Sequence, residues 1–386
     1  MTRQHTDPPA SGTMPALTLR GPGDAALTDK PIPVPGPGEV LLEVEATTIC
    51  GTDLRIISGE KTSGVRPGVT LGHEIAGRIA ALGEGLEGPG GQGGQGSPGG
   101  GGGLAVGQQA TVSIVVSCGV CRACLRGREH LCASMELFGY GIDGGLAPYV
   151  LVPARAVARG NVIPVAPHRE MPATRLALAE PVSCVLNGHR RHGGVNPGET
   201  VVILGGGPIG LLHARLCLAA GAGRVIVSGR NPQRRRVAEA LGAQAVAPQE
   251  AAAAVAEATG GWGADVVIVA IGAAELADAS LELAAPGGRV SWFAGFPKGS
   301  RASIQPNTVH YEELAVSGGS NATRADVHDA VAMLAGGLLD ETAIVTHTFG
   351  LDQWREAVEA AREHVGVKIA IDPRRGAGRG AGRSGG

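Results

Sequence analysis

Residues 201–210 read VVILGGGPIG, and the fold of the chain turns on them. Val201, Val202, Ile203 and Leu204 form an unbroken apolar run, the pattern of a parallel strand buried on both faces. Gly205, Gly207 and Gly210 follow as G-x-G-x-x-G, with Pro208 and Ile209 inside the motif. The first glycine permits a tight turn, the second lets a pyrophosphate approach the backbone, and the third lets helix and strand pack closely. Residues 211–221 continue as an apolar helix whose N-terminal N–H groups and dipole would face the phosphates. A glycine-rich turn can serve packing alone. Here a βαβ pattern follows and metal-ligand residue types precede it, so a dinucleotide site is the expectation.

Downstream, β and α patterns alternate. Residues 224–228 (RVIVS) read as a strand, 232–242 as a helix ending at glycine, and 264–271 (ADVVIVAI) as a strand. Residues 273–285 read as a helix stopped by Pro286, followed by strands at 288–295 and 313–317. This is the signature of a doubly wound parallel sheet. Beyond it, 324–336 and 352–364 read as helices and 367–371 as a closing strand. Upstream, from about residue 16 to 116, short β-type segments such as 40–46 and 74–81 alternate with Pro and Gly turns. That is a mostly antiparallel, partly open β domain. The chain is thus α/β, with a β-rich domain of residues 14–181 and 320–373 and a dinucleotide-binding domain of 182–319.

The remaining stretches are low in complexity. Residues 88–103 (GPGGQGGQGSPGGGGG) have nothing to pack and a high ordering entropy, so they read as a surface-loop insertion. Residues 1–13 and 374–386 read as flexible tails. At 386 residues and 43% hydrophobic the chain has room for two cores. No apolar run reaches the length of a membrane span, and the N-terminus lacks the apolar core of a secretory signal. A net charge of −2 gives no reason to expect nucleic acid or an anionic membrane as partner. A cytoplasmic location is expected, and with it reduced cysteines.

Four of the seven cysteines, Cys118, Cys121, Cys124 and Cys132, form C-x2-C-x2-C-x7-C in the stretch 117–133. Four thiolates at this spacing can close a tetrahedral Zn2+ shell. With no position left open, such a site is structural: it clamps a lobe that has few apolar residues of its own. Four free thiols on one loop and an Fe–S cluster are the alternatives, the latter with motifs of other spacing.

Taken together, Cys50-Gly51-Thr52-Asp53, Gly72-His73-Glu74, the four-cysteine lobe, Glu180-Pro181 and the glycine turn resemble the zinc-dependent medium-chain dehydrogenases, the alcohol, polyol and threonine dehydrogenase family. The pieces stand in the family's order over roughly residues 16–373. The resemblance implies a split GroES-like catalytic domain around a Rossmann domain. It also implies a catalytic zinc on Cys50 and His73, with Glu74 and Glu180 as close or water-mediated oxygen ligands. One thiolate, one imidazole and one or two carboxylates leave a position for water or substrate. Taken singly, each has a bland alternative: a buried Cys50, a turn His73, surface carboxylates at 74 and 180. Glu180 in A-E-P-V-S-C, where simple-alcohol enzymes carry cysteine, resembles the polyol and sugar branch, as does the segment 293–311.

Under that resemblance Thr52 passes the substrate proton outward. Arg55 stands where many relatives carry a histidine that ends the relay, and a guanidinium cannot accept that proton. The relay then ends in water or another group. Arg55 is left to hold an anionic or hydroxyl-rich substrate, or to pair with a nearby carboxylate.

NAD enzymes of the family end the second Rossmann strand with an acidic residue on the ribose 2′-OH. Here Gly229 stands there, nineteen residues after Gly210, and Arg230 follows. An arginine favours a 2′-phosphate, and Arg234 and Arg235 lie one turn further on, so NADP(H) is favoured over NAD(H). The alternative is a solvated Arg230 and use of either cofactor. Lys368 lies where relatives place a basic residue near the pyrophosphate.

Three readings compete. The first is an NADP-dependent, two-zinc dehydrogenase of a secondary alcohol of a polyol, sugar or (amino)cyclitol, or a reductase of the matching ketone. The second acts on a simple alcohol or a threonine-like substrate, and the third is a non-catalytic nucleotide-binding relative. A homodimer or homotetramer, paired edge to edge near 313–317, is expected. Cys184, Cys217, Trp262, Trp292 and Trp354 read as packing residues, and His189, His192 and His213 as helix-face or capping residues.

Overall fold

The computed structural model describes residues 12–86 and 103–375. The low-complexity insertion at 88–103 therefore lies almost wholly outside the described residues, as do most of both tails. The chain divides into two compact units. The first holds residues up to Glu180, together with Thr323–Gly336 and Val345 onward. The second holds Pro181–Ala322 and Gly337–Ile344.

In the first unit a seven-stranded sheet runs in the order Val162–Pro164, Gln109–Val112, Glu74–Leu82, Val40–Thr48, Lys368–Asp372, Val345–Gly350, with Tyr149–Val152 also paired to Val40–Thr48. Only the last pair is parallel. Alternating apolar positions in Val40–Thr48 and Glu74–Leu82 bury Val40, Leu42, Val44, Ile75 and Ile79 in one core. A second core forms where Ile56 of the helix Gly51–Ile57 meets Trp354 and Val358 of the helix Trp354–Arg362. Three adjacent strands deliver the chemistry. Thr48 pairs with Glu74 and with Ala370, so Cys50, His73, Glu74 and Lys368 all emerge at one end of the sheet.

In the second unit six parallel strands lie in the order Gln244–Val246, Arg224–Ser228, Thr200–Leu204, Ala264–Val269, Ala284–Trp292, Ala315–Gly318. The first strand of the unit sits centrally and the order reverses beside it, which is the Rossmann arrangement. The apolar run 201–204 is buried throughout.

Several expectations needed correction. The helix read at 273–285 ends at Glu282, and the next strand already begins at Ala284, ahead of Pro286. The pairing slips from Ala264↔Ala284 to Val266↔Arg289, so Pro286, which has no N–H, falls in the unpaired stretch. The helix Ala179–His192 runs across the division between Glu180 and Pro181 and carries Glu180 in its first turn. Trp262 is 67% exposed, not packed. Arg374, counted above with the C-terminal tail, pairs with Asp372 at 3.0 Å and Glu45 at 3.2 Å.

Candidate catalytic metal site and nucleotide turn

Asp53 builds the site from a local capping motif. Cys50 precedes the helix Gly51–Ile57, and Asp53 Oδ2 accepts the Cys50 N–H at 2.8 Å, fixing the turn that presents the thiol. Asp53 Oδ1 faces His73 Nδ1 at 3.2 Å. A carboxylate accepts only, so Nδ1 carries a proton, and Nε2 offers its lone pair to an ion that displaces its own proton. Gly72 sets the approach: its φ is +88°, and a Cβ there would lie 2.7 Å from Leu146 Cγ and 2.9 Å from Thr47 Cγ2. His73 is 3% exposed. Burial works against its charge, but Asp53 offsets this and its pKa stands well above the usual histidine value.

One donor atom from each of Cys50, His73 and Glu74 lies within 4.8 Å of the others. A thiolate, an imidazole with a carboxylate behind it and a carboxylate are a donor set that fits Zn2+. Glu74 is 1% exposed, and both its oxygens are engaged: Lys368 Nζ lies 2.9 Å from Oε1 and 2.7 Å from Oε2, and Thr48 donates to Oε2. Lys368, expected near a pyrophosphate, is 4% exposed and also donates to Ile49 O at 3.3 Å. Glu180 lies outside the close group but near enough for its charge to act on Tyr140 and Lys368. Thr52 and Arg55 share the helix Gly51–Ile57, both half-buried.

The four lobe cysteines also gather, all within 4.8 Å. Cys121 and Cys124 Sγ are 3.5 Å apart and Cys118 and Cys124 Sγ 4.0 Å. These bracket the sulfur separation of about 3.8 Å that tetrahedral Zn–S bonds impose. The N–H groups of Val120 and Cys121 point at Cys118 and lower its pKa to about 6, so the loop already favours a thiolate. Around it Val120, Leu125 and Leu131 are exposed, leaving this lobe little apolar burial to hold its shape.

In the second unit Gly205 adopts φ +128°, and a Cβ on Gly210 would lie 1.8 Å from Gly205 O, so strand and helix meet at glycine contact. Gly207 precedes the helix Pro208–Ala219, with Pro208 at its first position and Ile209 next. At the end of the neighbouring strand Gly229 lies against Gly206, and Arg230 is exposed. Asn231 caps the next helix by accepting the N–H groups of Gln233 and Arg234. Arg235 donates to Gly229 O at 2.8 Å and Arg230 O at 3.2 Å, which pins this turn.

Sequence reasoning missed the contacts that join distant residues. Lys368 on Glu74 and the Tyr140 ring 5.5 Å from that of His73 left no local signal. Asp53 did leave one: it is three residues after Cys50, the spacing of a helix cap.

Comparison with known proteins gives concordant findings. The family profile described as "Alcohol dehydrogenase GroES-like domain" matches residues 36–165 and that described as "Zinc-binding dehydrogenase" residues 208–336. The L-threonine 3-dehydrogenase of Thermococcus kodakarensis is 32% identical over 359 residues, 91% of this chain and 95% of that enzyme. A sorbitol dehydrogenase of Halalkalibacterium halodurans is 30% identical, covering 92% and 98%. A structure from Sinorhizobium meliloti 1021, assigned as a zinc-binding dehydrogenase and bound to NADP, superposes with a TM-score of 0.82 at 33% identity, covering 94% of this chain and 100% of that one.

Proposed function

The chain belongs to the zinc-dependent medium-chain dehydrogenases, enzymes that act on CH–OH donors, and from that premise we propose that its substrate is a secondary alcohol of a polyol, sugar or (amino)cyclitol, or the matching ketone, with NADP(H) as partner. The observation that carries the reading is the Cys50–His73–Glu74 group, its imidazole and carboxylate buried, with Asp53 behind the imidazole.

Cys50 and His73 Nε2 would hold the catalytic zinc, with Glu74 or Glu180 supplying oxygen. Cys118, Cys121, Cys124 and Cys132 would hold a second, structural zinc. When bound, the zinc would supply the Lewis acidity that lowers the pKa of the substrate hydroxyl, and the nicotinamide would supply the hydride acceptor. The protein's own work is positional. Asp53 holds the His73 ring in one tautomer, and Thr52 Oγ1 takes the hydroxyl proton and passes it to water, because Arg55 cannot accept it. The N–H groups at the start of Pro208–Ala219 cradle the pyrophosphate. Arg230 and Arg234 attract a 2′-phosphate, and Gly229 presents no carboxylate to repel one.

A threonine-like substrate is the second reading, favoured by the names of relatives that match at 28% to 34% identity. Ala315–Gly318 is a sheet edge with Ala315, Val316 and Gly318 exposed, which suits pairing with a second copy as a homodimer or homotetramer. No helix among the described residues is long and apolar enough to cross a membrane. The test is a panel of polyols, sugars, cyclitols, L-threonine and simple alcohols, assayed by cofactor absorbance with NADP+ and NAD+ in parallel. Turnover of a polyol or cyclitol with NADP+ is the expected result. Turnover of threonine alone, or a clear preference for NAD+, would overturn the respective part.

A further inference from the structure

Among the described residues, two cations near the metal-ligand group have no ion-pair partner. Arg55 sits in the helix Gly51–Ile57, one turn past Thr52, and is half-buried. The chain then folds back, so that Lys61 N–H donates to Arg55 O at 2.9 Å. Lys61 is half-buried too. Its Nζ donates to Ser63 O at 3.2 Å and lies 5.7 Å from the centre of the Tyr140 ring. Tyr140 is buried, with its ring centre 5.5 Å from that of His73. One aromatic ring thus separates Lys61 from an imidazole of the proposed zinc site.

Among the described residues neither Arg55 nor Lys61 has an ion-pair partner. Other cations of this unit do: Lys30 meets Asp143 at 2.7 Å, Arg78 meets Glu170 at 2.8 Å, and buried Lys368 meets Glu74. Burial, and then the charge of Arg55, push the Lys61 pKa down, which places the two cations in one neighbourhood. Partly desolvated like charges without an anion cost free energy, and such cost is retained where a ligand relieves it. The fold also spends the position usual for a relay histidine on a permanent cation.

We propose that Arg55 and Lys61 form an anion subsite beside the metal, and that the substrate is a secondary alcohol bearing a carboxylate or phosphate a few carbons from its hydroxyl. This rests on the dehydrogenase reading above and adds an anionic group to either substrate reading, a phosphate on a polyol or sugar or a carboxylate on a threonine-like acid. The carbinol sits at Cys50 and His73, Tyr140 walls the chain of carbons, and the anion is met by the guanidinium and the ammonium. Tyr140, a neutral phenol, presents a wall that does not repel that anion.

Matched pairs test this: 3-hydroxybutyrate against 3-hydroxybutyramide for a carboxylate, and sorbitol 6-phosphate against sorbitol for a phosphate. The anionic member of at least one pair is expected to show a kcat/KM higher by about tenfold or more. That preference, carried in KM, is expected to vanish in Arg55→Gln/Lys61→Gln and to survive in Lys61→Arg. Calorimetric titration of propanoate and inorganic phosphate into the full chain gives a readout without turnover. At least one probe is expected to bind the native protein about tenfold more tightly than the double variant. Equal or better turnover of the neutral members, an equal loss for both members in the variant, or equal probe binding would overturn the subsite. If no alcohol turns over with either cofactor, the dehydrogenase substrate reading fails instead, and the titration still decides the subsite.

Discussion

In the lobe of residues 118–132 four thiols gather on a loop whose neighbours Val120, Leu125 and Leu131 stay exposed. Cys50 and His73, by contrast, meet at the end of a sheet, with Asp53, Thr48, Glu74 and Lys368 bonded around them. The lobe has little burial of its own, so on the proposed account the ion supplies its shape. The sheet-end site is held by strand register and a helix cap, so there the ion would supply reactivity. The same element at two places would serve folding in one and chemistry in the other.

The largest effect should come from the lobe. Cys132→Ala leaves three thiols, and losing a structural metal ranks with the mutations that cost more than about 4 kcal/mol. Thermal unfolding should fall by about 10 °C and zinc by one ion per chain. An unchanged melting temperature would mean that the lobe holds its shape without metal.

Asp53→Asn should act oppositely. Asparagine keeps an acceptor for the Cys50 N–H, so stability should hold. It removes the charge behind His73, so zinc affinity or turnover should fall by about 10- to 100-fold. A variant with native activity would show that the imidazole needs no such partner.

A second contrast lies between His73, which faces a carboxylate, and the histidines of the nucleotide unit. His189 Nε2 meets His213 Nδ1 at 3.1 Å, and His192 lies 5.0 Å from His189, ring to ring. Burial holds His189 down at about 3 and His192 at about 4, and His213 well below the usual value. In the unfolded chain each titrates near 6.5. The unfolded state therefore binds more protons below that pH. The stability these groups allow is complete above about 6.5 and is lost as pH falls toward the folded values, by about 1.4 kcal/mol per pH unit for each histidine. Melting followed from pH 7 to pH 5 should show this slope, and His192→Gln should flatten it. A pH-independent melting temperature would refute the buried, neutral cluster.

The smallest effect is at the turn after Arg224–Ser228. Gly229→Asp should shift the NADP+/NAD+ ratio of kcat/KM toward NAD+ by about tenfold, the scale of one charge-assisted contact. Its Cβ would lie 3.2 Å from Gly206 Cα, so a slight backbone shift accompanies it. No shift in preference would remove Gly229 and Arg230 from cofactor selection.

Much of this was legible in the sequence because the chemistry constrains residue types and spacing. The glycine turn, the four cysteines and the C-G-T-D and G-H-E motifs each stand within a few residues. Strands with buried alternation or unbroken apolar runs were also plain. What stayed hidden has physical reasons. Residues 251–259, AAAAVAEAT, form a helix whose alanines give no contrast between faces, and Val345–Gly350 is a mostly exposed strand without apolar alternation. The inward turn of Lys368, and the line from Arg55 through Lys61 and Tyr140 to His73, join residues far apart in the chain. Only strand register and the fold-back after residue 57 bring those together.

The central claim is that Cys50 and His73 hold a catalytic ion separate from that of the lobe. Zinc per chain and cofactor-linked turnover, measured together on the native protein and on Cys50→Ser, test it most directly. The account requires two zinc ions falling to one, turnover reduced by about a thousandfold or more, and a melting temperature that barely moves. A Cys50→Ser protein that keeps both ions, or loses one while turning over at the native rate, would contradict it.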